Sequence, residues 1–280
     1  MRFILGTLLL FSLSSTLWSY TRGQENYEPV IIPDKTDPFI QKKEMPKTRA
    51  FYVASSFGYL FASVPDITTI QTDFVNAGLT GLSPVSGFFD FNLEFGYENL
   101  LPHFDAFAVI GYVFSPAKSG TGNINYGLEP VNTTVSFSLY SVPILIGGKY
   151  SFYNTNTVKL GARADIGMSL IRGDIDLKLN EASSLPVQNS SLSYGGTGIS
   201  TDFLLFIETK LSKMLNLEFN MGYSVTSLSN VKILGSTGNF LTQFEPGKQL
   251  MIHDSSTGQS EPFKVRLNGL VFSLSAKILF

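Results

Sequence analysis

The chain has 280 residues, a net charge of −2, no cysteine and a charged fraction of 15%. Near-neutral charge argues against a nucleic-acid binder, which needs a basic footprint. The missing cysteines exclude a disulfide scaffold, thiolate metal sites and a cysteine nucleophile, and a hydrophobic share of 44% is too high for a disordered chain.

The first segment, residues 1–19, begins with a positive Arg2 and continues as an apolar stretch from Phe3 to Leu17 diluted by Ser and Thr. That is the pattern of a secretory signal peptide, with cleavage predicted after Ser19. The apolar run is shorter than the ~20 residues that a membrane-spanning helix needs. Residues 20–48 carry Pro29, Pro33, Pro38 and Pro46 among balanced acidic and basic side chains, with no period of 2 or 3.6. They read as an extended, mostly disordered periplasmic arm.

From about Arg49 the texture changes to period 2, and 49–280 reads as one β domain. In Phe89-Asp90-Phe91-Asn92-Leu93-Glu94-Phe95-Gly96-Tyr97 the odd residues are apolar and the even ones polar or Gly. A strand sends these two sets to opposite faces. The same alternation recurs around Val158–Ser169, Asn216–Val225 and Gly269–Phe280. Eight such segments fall at roughly 49–62, 84–98, 104–116, 132–152, 157–177, 197–212, 214–230 and 264–280, most of them longer than the ~9–11 residues of a tilted membrane strand. Their connections alternate between short and long, the up-and-down pattern of a transmembrane barrel. The predicted fold is therefore all-β: an antiparallel, eight-stranded transmembrane β-barrel. Ten strands remain an alternative if the last long connection adds two.

Three features are similar to the small bacterial outer-membrane β-barrels, the group that includes OmpX, OmpW and the membrane domain of OmpA: the signal peptide, the alternating strands with short and long connections, and the C-terminal strand. In that strand Phe272, Leu274, Ile278 and Phe280 share one face. The resemblance implies a Gram-negative outer-membrane location, with outer-membrane lipid and the barrel-assembly machinery as partners. The C-terminal residues are then the assembly signal. For OmpX-like members the resemblance implies surface loops that bind extracellular or host ligands. For OmpW-like members it implies passage of small hydrophobic solutes.

Inward parity in an eight-stranded bore gives charged residues a structural role, because such a lumen is narrow and filled by side chains. On the sixth and seventh segments it selects Glu208, Lys210 and Glu218, with Glu208 and Glu218 roughly opposite one another. Facing carboxylates need cations between them. The predicted lumenal cluster is Glu94, Arg163, Glu208, Lys210, Glu218 and Lys277. Read structurally it is a plug; read functionally it is an ion gate. The plug is favoured, since the bore has little free space.

No catalytic residue, metal site or cofactor is predicted. The histidines, His103 and His253, lie in connections, and the Asp174/Asp176 pair shares the outward parity of Met168 and Leu170. Function is expected in the long loops. Phe74 lies in the first, in a β-like stretch with Ile67-Thr68-Thr69-Ile70. Phe240, Phe244 and Ile252 lie in the last, on a hairpin turning at Glu245-Pro246-Gly247-Lys248. These four are the candidate interaction residues.

Overall fold

A computed structural model describes residues 50–126, 129–179, 188–238, 244–253 and 260–280. The predicted leader, the arm and Phe240 lie outside the described residues. The elements are β1 (Ala50–Ser63), α1 (Pro65–Asn76), β2 (Leu79–Thr80), β3 (Ser86–Leu101), β4 (Phe104–Tyr126), β5 (Glu129–Asn154), β6 (Val158–Leu179), β7 (Gln188–Lys210), β8 (Leu215–Leu228), β9 (Lys232–Thr237), β10 (Met251–His253), β11 (Ser260–Pro262) and β12 (Val265–Leu279).

Strands β1, β3, β4, β5, β6, β7, β8 and β12 pair antiparallel in that order, and β12 returns to β1 from Tyr52↔Leu279 to Ser63↔Asn268. The ring therefore has no open edge, as hydrocarbon demands, because an unpaired backbone group costs several kcal/mol there. The last long connection does not supply two more ring strands. β9, six residues long, adds to β7 outside the ring, and among the described residues β10 pairs with β11 alone.

Three short turns share one rim, each held by a side chain on a backbone amide. Asn99 N–H donates to Asp105 Oδ1 at 2.7 Å, Val158 N–H to Thr155 Oγ1 at 2.9 Å, and Leu215 N–H to Ser212 Oγ at 3.1 Å. At the other rim β4 to β7 run on for 22 to 26 residues each, whereas β1, β3, β8 and β12 have 14 to 16. The stretch read as a loop at 117–131 is largely strand: Lys118↔Phe137 through Tyr126↔Glu129 continue the β4–β5 ladder beyond a bulge. β2 joins this raised wall on β4, and β9 joins it on β7.

The outward faces change character at one level. Ile144, Ile146 and Tyr150 on β5, Ile166, Met168 and Leu170 on β6, and Ile199, Phe203 and Leu205 on β7 are all exposed. On β5 the apolar face runs from Tyr140 to Phe152, about 40 Å of strand and roughly 30 Å along a barrel axis at the usual tilt. That matches a lipid-facing band with interfacial aromatics at each end. Above it the outward residues of the wall become Ser, Thr, Asn and Asp. The fold is an eight-stranded barrel of the transmembrane type.

The first long connection contains a helix where the sequence suggests β structure. Pro65 at the helix start and Asp66 in its first turn favour the N-terminus. Ile67 and Gln71, one turn apart, are buried beneath it. Tertiary burial outweighs the β preference of Ile67-Thr68-Thr69-Ile70.

Candidate functional site

Period 2 turns Glu94 and Glu98 on β3, Lys149 on β5, Lys159 and Arg163 on β6, Glu208 on β7, Glu218 on β8 and Lys277 on β12 into the bore near the short-turn rim. Glu208 and Glu218 are register partners, and each takes its own ammonium. Lys149 donates to both Glu218 oxygens at 2.9 Å and to Glu94 Oε1 at 2.7 Å. Lys277 lies 2.8 Å from Glu208, 2.6 Å from Glu98 and 3.7 Å from Asp105. Lys159 reaches Glu98 at 2.9 Å and Glu208 at 3.4 Å. Arg163 bridges Glu94 at 2.5 Å and Asp165 at 2.9 Å. Tyr52 donates to Glu94 at 2.6 Å, and its ring carries Lys277 at 4.2 Å; the Phe107 ring carries Arg163 at 4.2 Å.

Burial is nearly complete: Lys149 and Lys277 are 1% and 0% exposed, Glu218 1% and Glu208 2%. Charges this deep persist only if every one is paired and hydrogen-bonded. Each of these four is ion-paired within the network.

Five of the six predicted cluster residues, Glu94, Arg163, Glu208, Glu218 and Lys277, meet here. Lys210 does not. It has inward parity with Glu208 but sits one step beyond it, exposed at the short-turn rim. Parity fixes the face of a strand but not where the lumen ends. Lys149, Lys159, Glu98, Asp105 and Asp165 complete the network without having been singled out. For Lys149 the signal was faint: Ile144, Leu145 and Ile146 are apolar on both faces, so the alternation is silent there.

Above the network the bore leaves a cavity of about 50 Å³ bordered by Asp90, Asn92, Ser169, Ser200, Asp202 and Thr226. Such a volume holds only a few waters. Hydroxyls bridge its wall, Ser169 to Ser200 at 2.5 Å and Ser200 to Thr226 at 2.6 Å. Higher still lies an apolar core at the mouth. Ile67 of α1 joins Leu79, Val85, Phe88, Phe137, Tyr194, Val231, Leu250 and Phe263, all at most 4% exposed. Gln71 ties α1 down, donating to Ser83 O at 3.0 Å and accepting from Val85 N–H at 3.1 Å. Asp66 accepts from Lys264 N–H at 2.7 Å. Two buried layers thus stand in series along the bore, paired charges below and an apolar cluster above.

The loop candidates behave differently from their expected exposure. Phe74, Phe244 and Ile252 pack against this cap, and the Phe74 ring meets Phe137 edge-on at 6.0 Å. Their large apolar areas are worth more in the barrel mouth than in water. The Pro246-Gly247 turn forms as read, with Gly247 at φ 87 and Lys248 N–H on Glu245 O. Phe272, Leu274, Ile278 and Phe280 all face outward on the belt, exposed by 36% to 69%, and Phe280 N–H closes the ring on Phe51 O.

His103 sits in a short turn with φ 64, at the rim opposite the wall. Asp174 and Asp176 lie on the outward side of β6, Asp174 accepting from Ser193 at 2.5 Å. The acidic pair and this histidine are therefore at different ends of the barrel. The side chain of His253 lies outside the described residues.

No family model matches the chain, and no curated protein matches its sequence. Among solved structures, a major outer membrane protein from Thermus thermophilus is similar at 12% identity and a TM-score of 0.42, over 83% of this chain and all of that one. Neisserial surface protein A is similar at 13% identity and a TM-score of 0.39, over 84% and 100%. The outer membrane protease OmpT of Escherichia coli is similar at 7% identity and a TM-score of 0.37, over 84% and 97%. The architecture of this chain stands on its own ring of strand pairings.

Proposed function

We propose that the chain is an integral β-barrel of a Gram-negative outer membrane. Its lumen is closed, and its role is structural and surface-directed, carried by the wall and loops at the long-connection end. The observation that carries this reading is the stacking of two buried layers. A network of ten charged side chains, eight of them buried, and an apolar cap stand in series across one bore, while β4 to β7 extend past the lipid band into a polar wall. The location rests on the outward apolar belt, which only lipid covers at acceptable cost, and on the leader-like N-terminal sequence. The outward row Phe272, Leu274, Ile278 and Phe280 is the proposed signal for the barrel-assembly machinery.

The reading is non-enzymatic. Passage of small apolar solutes is the competing role, and the inward Leu204, Phe206 and Val271 are its only support. All three are buried, and Leu204 and Val271 line the small cavity above the charge network. Single-channel recording of the refolded protein in a planar bilayer tests the choice, with heat-modifiable gel mobility as the check on folding. The expected result is a heat-modifiable protein with no steady conductance. Defined openings would give first place to transport.

A further inference from the structure

The inward side chains of the bore do not balance in charge. Four cations stand there: Lys149, Lys159, Arg163 and Lys277. Eight carboxyl groups oppose them: Glu94, Glu98, Asp105, Asp165, Glu208 and Glu218 in the network, and Asp90 and Asp202 above it. Asp90 and Asp202 have no ion pair among the described residues. Arg163, the cation that acts on both, is already bonded to Glu94 and Asp165. Negative charge taken out of water without a partner is costly, so this level of the bore needs a further positive charge.

The place for it is between β6 and β7. Asp165 and Asp202 are register partners, both turned inward, and their carboxyl groups lie within hydrogen-bond reach of one another. Asp165 accepts from Arg163 Nε through Oδ2 at 2.9 Å, while its Oδ1 is buried and meets no donor among the described residues. Two ionised carboxylates are acceptors only and cannot bond one another. A single proton turns the same contact into a charge-assisted O–H···O hydrogen bond and cancels one surplus charge.

The surroundings offer no substitute. Facing the pair are Arg163 on β6, Asp90 and Glu94 on β3, and the Ser224 hydroxyl on β8, the register partner of Asp202. At this level β1, β4, β5 and β12 present the uncharged Ser56, Val109, Ser141 and Ser273 to the small cavity.

We propose that Asp165 and Asp202 form a proton-binding pair, holding one proton between them in the folded barrel, and that this proton locks the β6–β7 ladder above the charge network. Its loss sets Asp90, Asp165 and Asp202 against Arg163 alone, a cation that Glu94 already shares.

The test uses the full chain refolded into phosphatidylcholine vesicles, with heat-modifiable mobility scoring the folding of each sample. Infrared spectra are taken in deuterated buffer at about pH 6, above the ordinary carboxyl range. The parent should show the carbonyl stretch of a protonated carboxyl. Asp202→Asn should lack it and still fold, because its side-chain amide donates to Asp165 permanently. Asp90→Asn, which alters the neighbouring carboxyl only, should keep it. The folding equilibrium constant of the parent should fall about tenfold per unit between about pH 5 and pH 7, since the folded barrel holds a proton that the unfolded chain releases. Asp202→Asn should be flatter by that amount. A parent without the band overturns the proposal, as does a band that persists in Asp202→Asn or vanishes in Asp90→Asn. Equal pH slopes in the parent and Asp202→Asn overturn the lock. A parent that lacks the band and whose stability at fixed pH follows sodium or calcium concentration holds a metal ion in the proton's place, which also overturns it.

Discussion

Lys149 is where the network is most exposed to a single change. Its ammonium makes three charge-assisted hydrogen bonds, two to Glu218 and one to Glu94, from a side chain that is 1% exposed. Lys149→Met keeps the stem and removes the charge. Glu94 keeps Arg163 and Tyr52. Glu218 loses the only cation paired with it among the described residues, and it still faces Glu208 across the β7–β8 ladder. Stranding a buried charge in this way costs about 3–5 kcal/mol. Lys149→Met/Glu218→Leu removes the stranded charge as well. Its remaining deficit should be about 2 kcal/mol, the charged hydrogen bond lost by Glu94. The double variant should therefore be more stable than the single one, opposite to the sum of two independent losses. Denaturant-dependent folding into lipid vesicles, scored by heat-modifiable gel mobility, measures each variant. A loss below about 1 kcal/mol for Lys149→Met would refute the reasoning, as would a double variant no better than the single. Lys210→Ala, at the exposed rim, should stay within about 0.5 kcal/mol of the parent.

The belt and the wall should respond oppositely to charge: Ile166→Arg, at mid-belt on β6, should cost about 2–4 kcal/mol in the same folding assay. Asp176→Arg on the outward wall should cost less than about 0.5 kcal/mol, and equal costs would remove the boundary between them. Gln71→Ala strands the Ser83 carbonyl and the Val85 amide, about 1–3 kcal/mol for a buried group left unpaired. It should speed proteolysis within 64–85 while leaving the heat-modifiable barrel intact; an unchanged cleavage rate would show that the cap does not depend on it. Because the seals stand in series, neither Lys149→Met nor Ile67→Asp alone should give steady conductance in a planar bilayer. The combination should leak, and a leak from either single variant would show that one seal does all the closing.

The sequence alone determined the barrel. Alternation such as Phe89 to Tyr97 assigns faces to a strand without any tertiary information, because successive side chains point to opposite sides. Short and long connections then order the strands, and five cluster residues followed from parity. Glu208 facing Glu218 needed only a tight turn and a count of residues. What the tertiary structure decided is depth and company. Lys149, in a stretch apolar on both faces, became visible only when the ring closed and brought β5 across from β8. Lys210 kept its parity and still fell outside the lumen. The segment 65–76 carries β-favouring residues, yet it coils into α1 because burying Ile67 and Gln71 over the barrel mouth outweighs local preference. Phe74, Phe244 and Ile252 turned inward for the same reason. The wall rises from Ser-, Thr- and Gly-rich sequence, held as strand by Val135, Leu192 and Tyr194 packing inward into the cap. Periodicity is local and can be read along a chain. Which charges find partners, and which loops find a core, depends on residues 42 to 69 positions apart, as the bonds of Glu94 to Tyr52 and of Lys149 to Glu218 show.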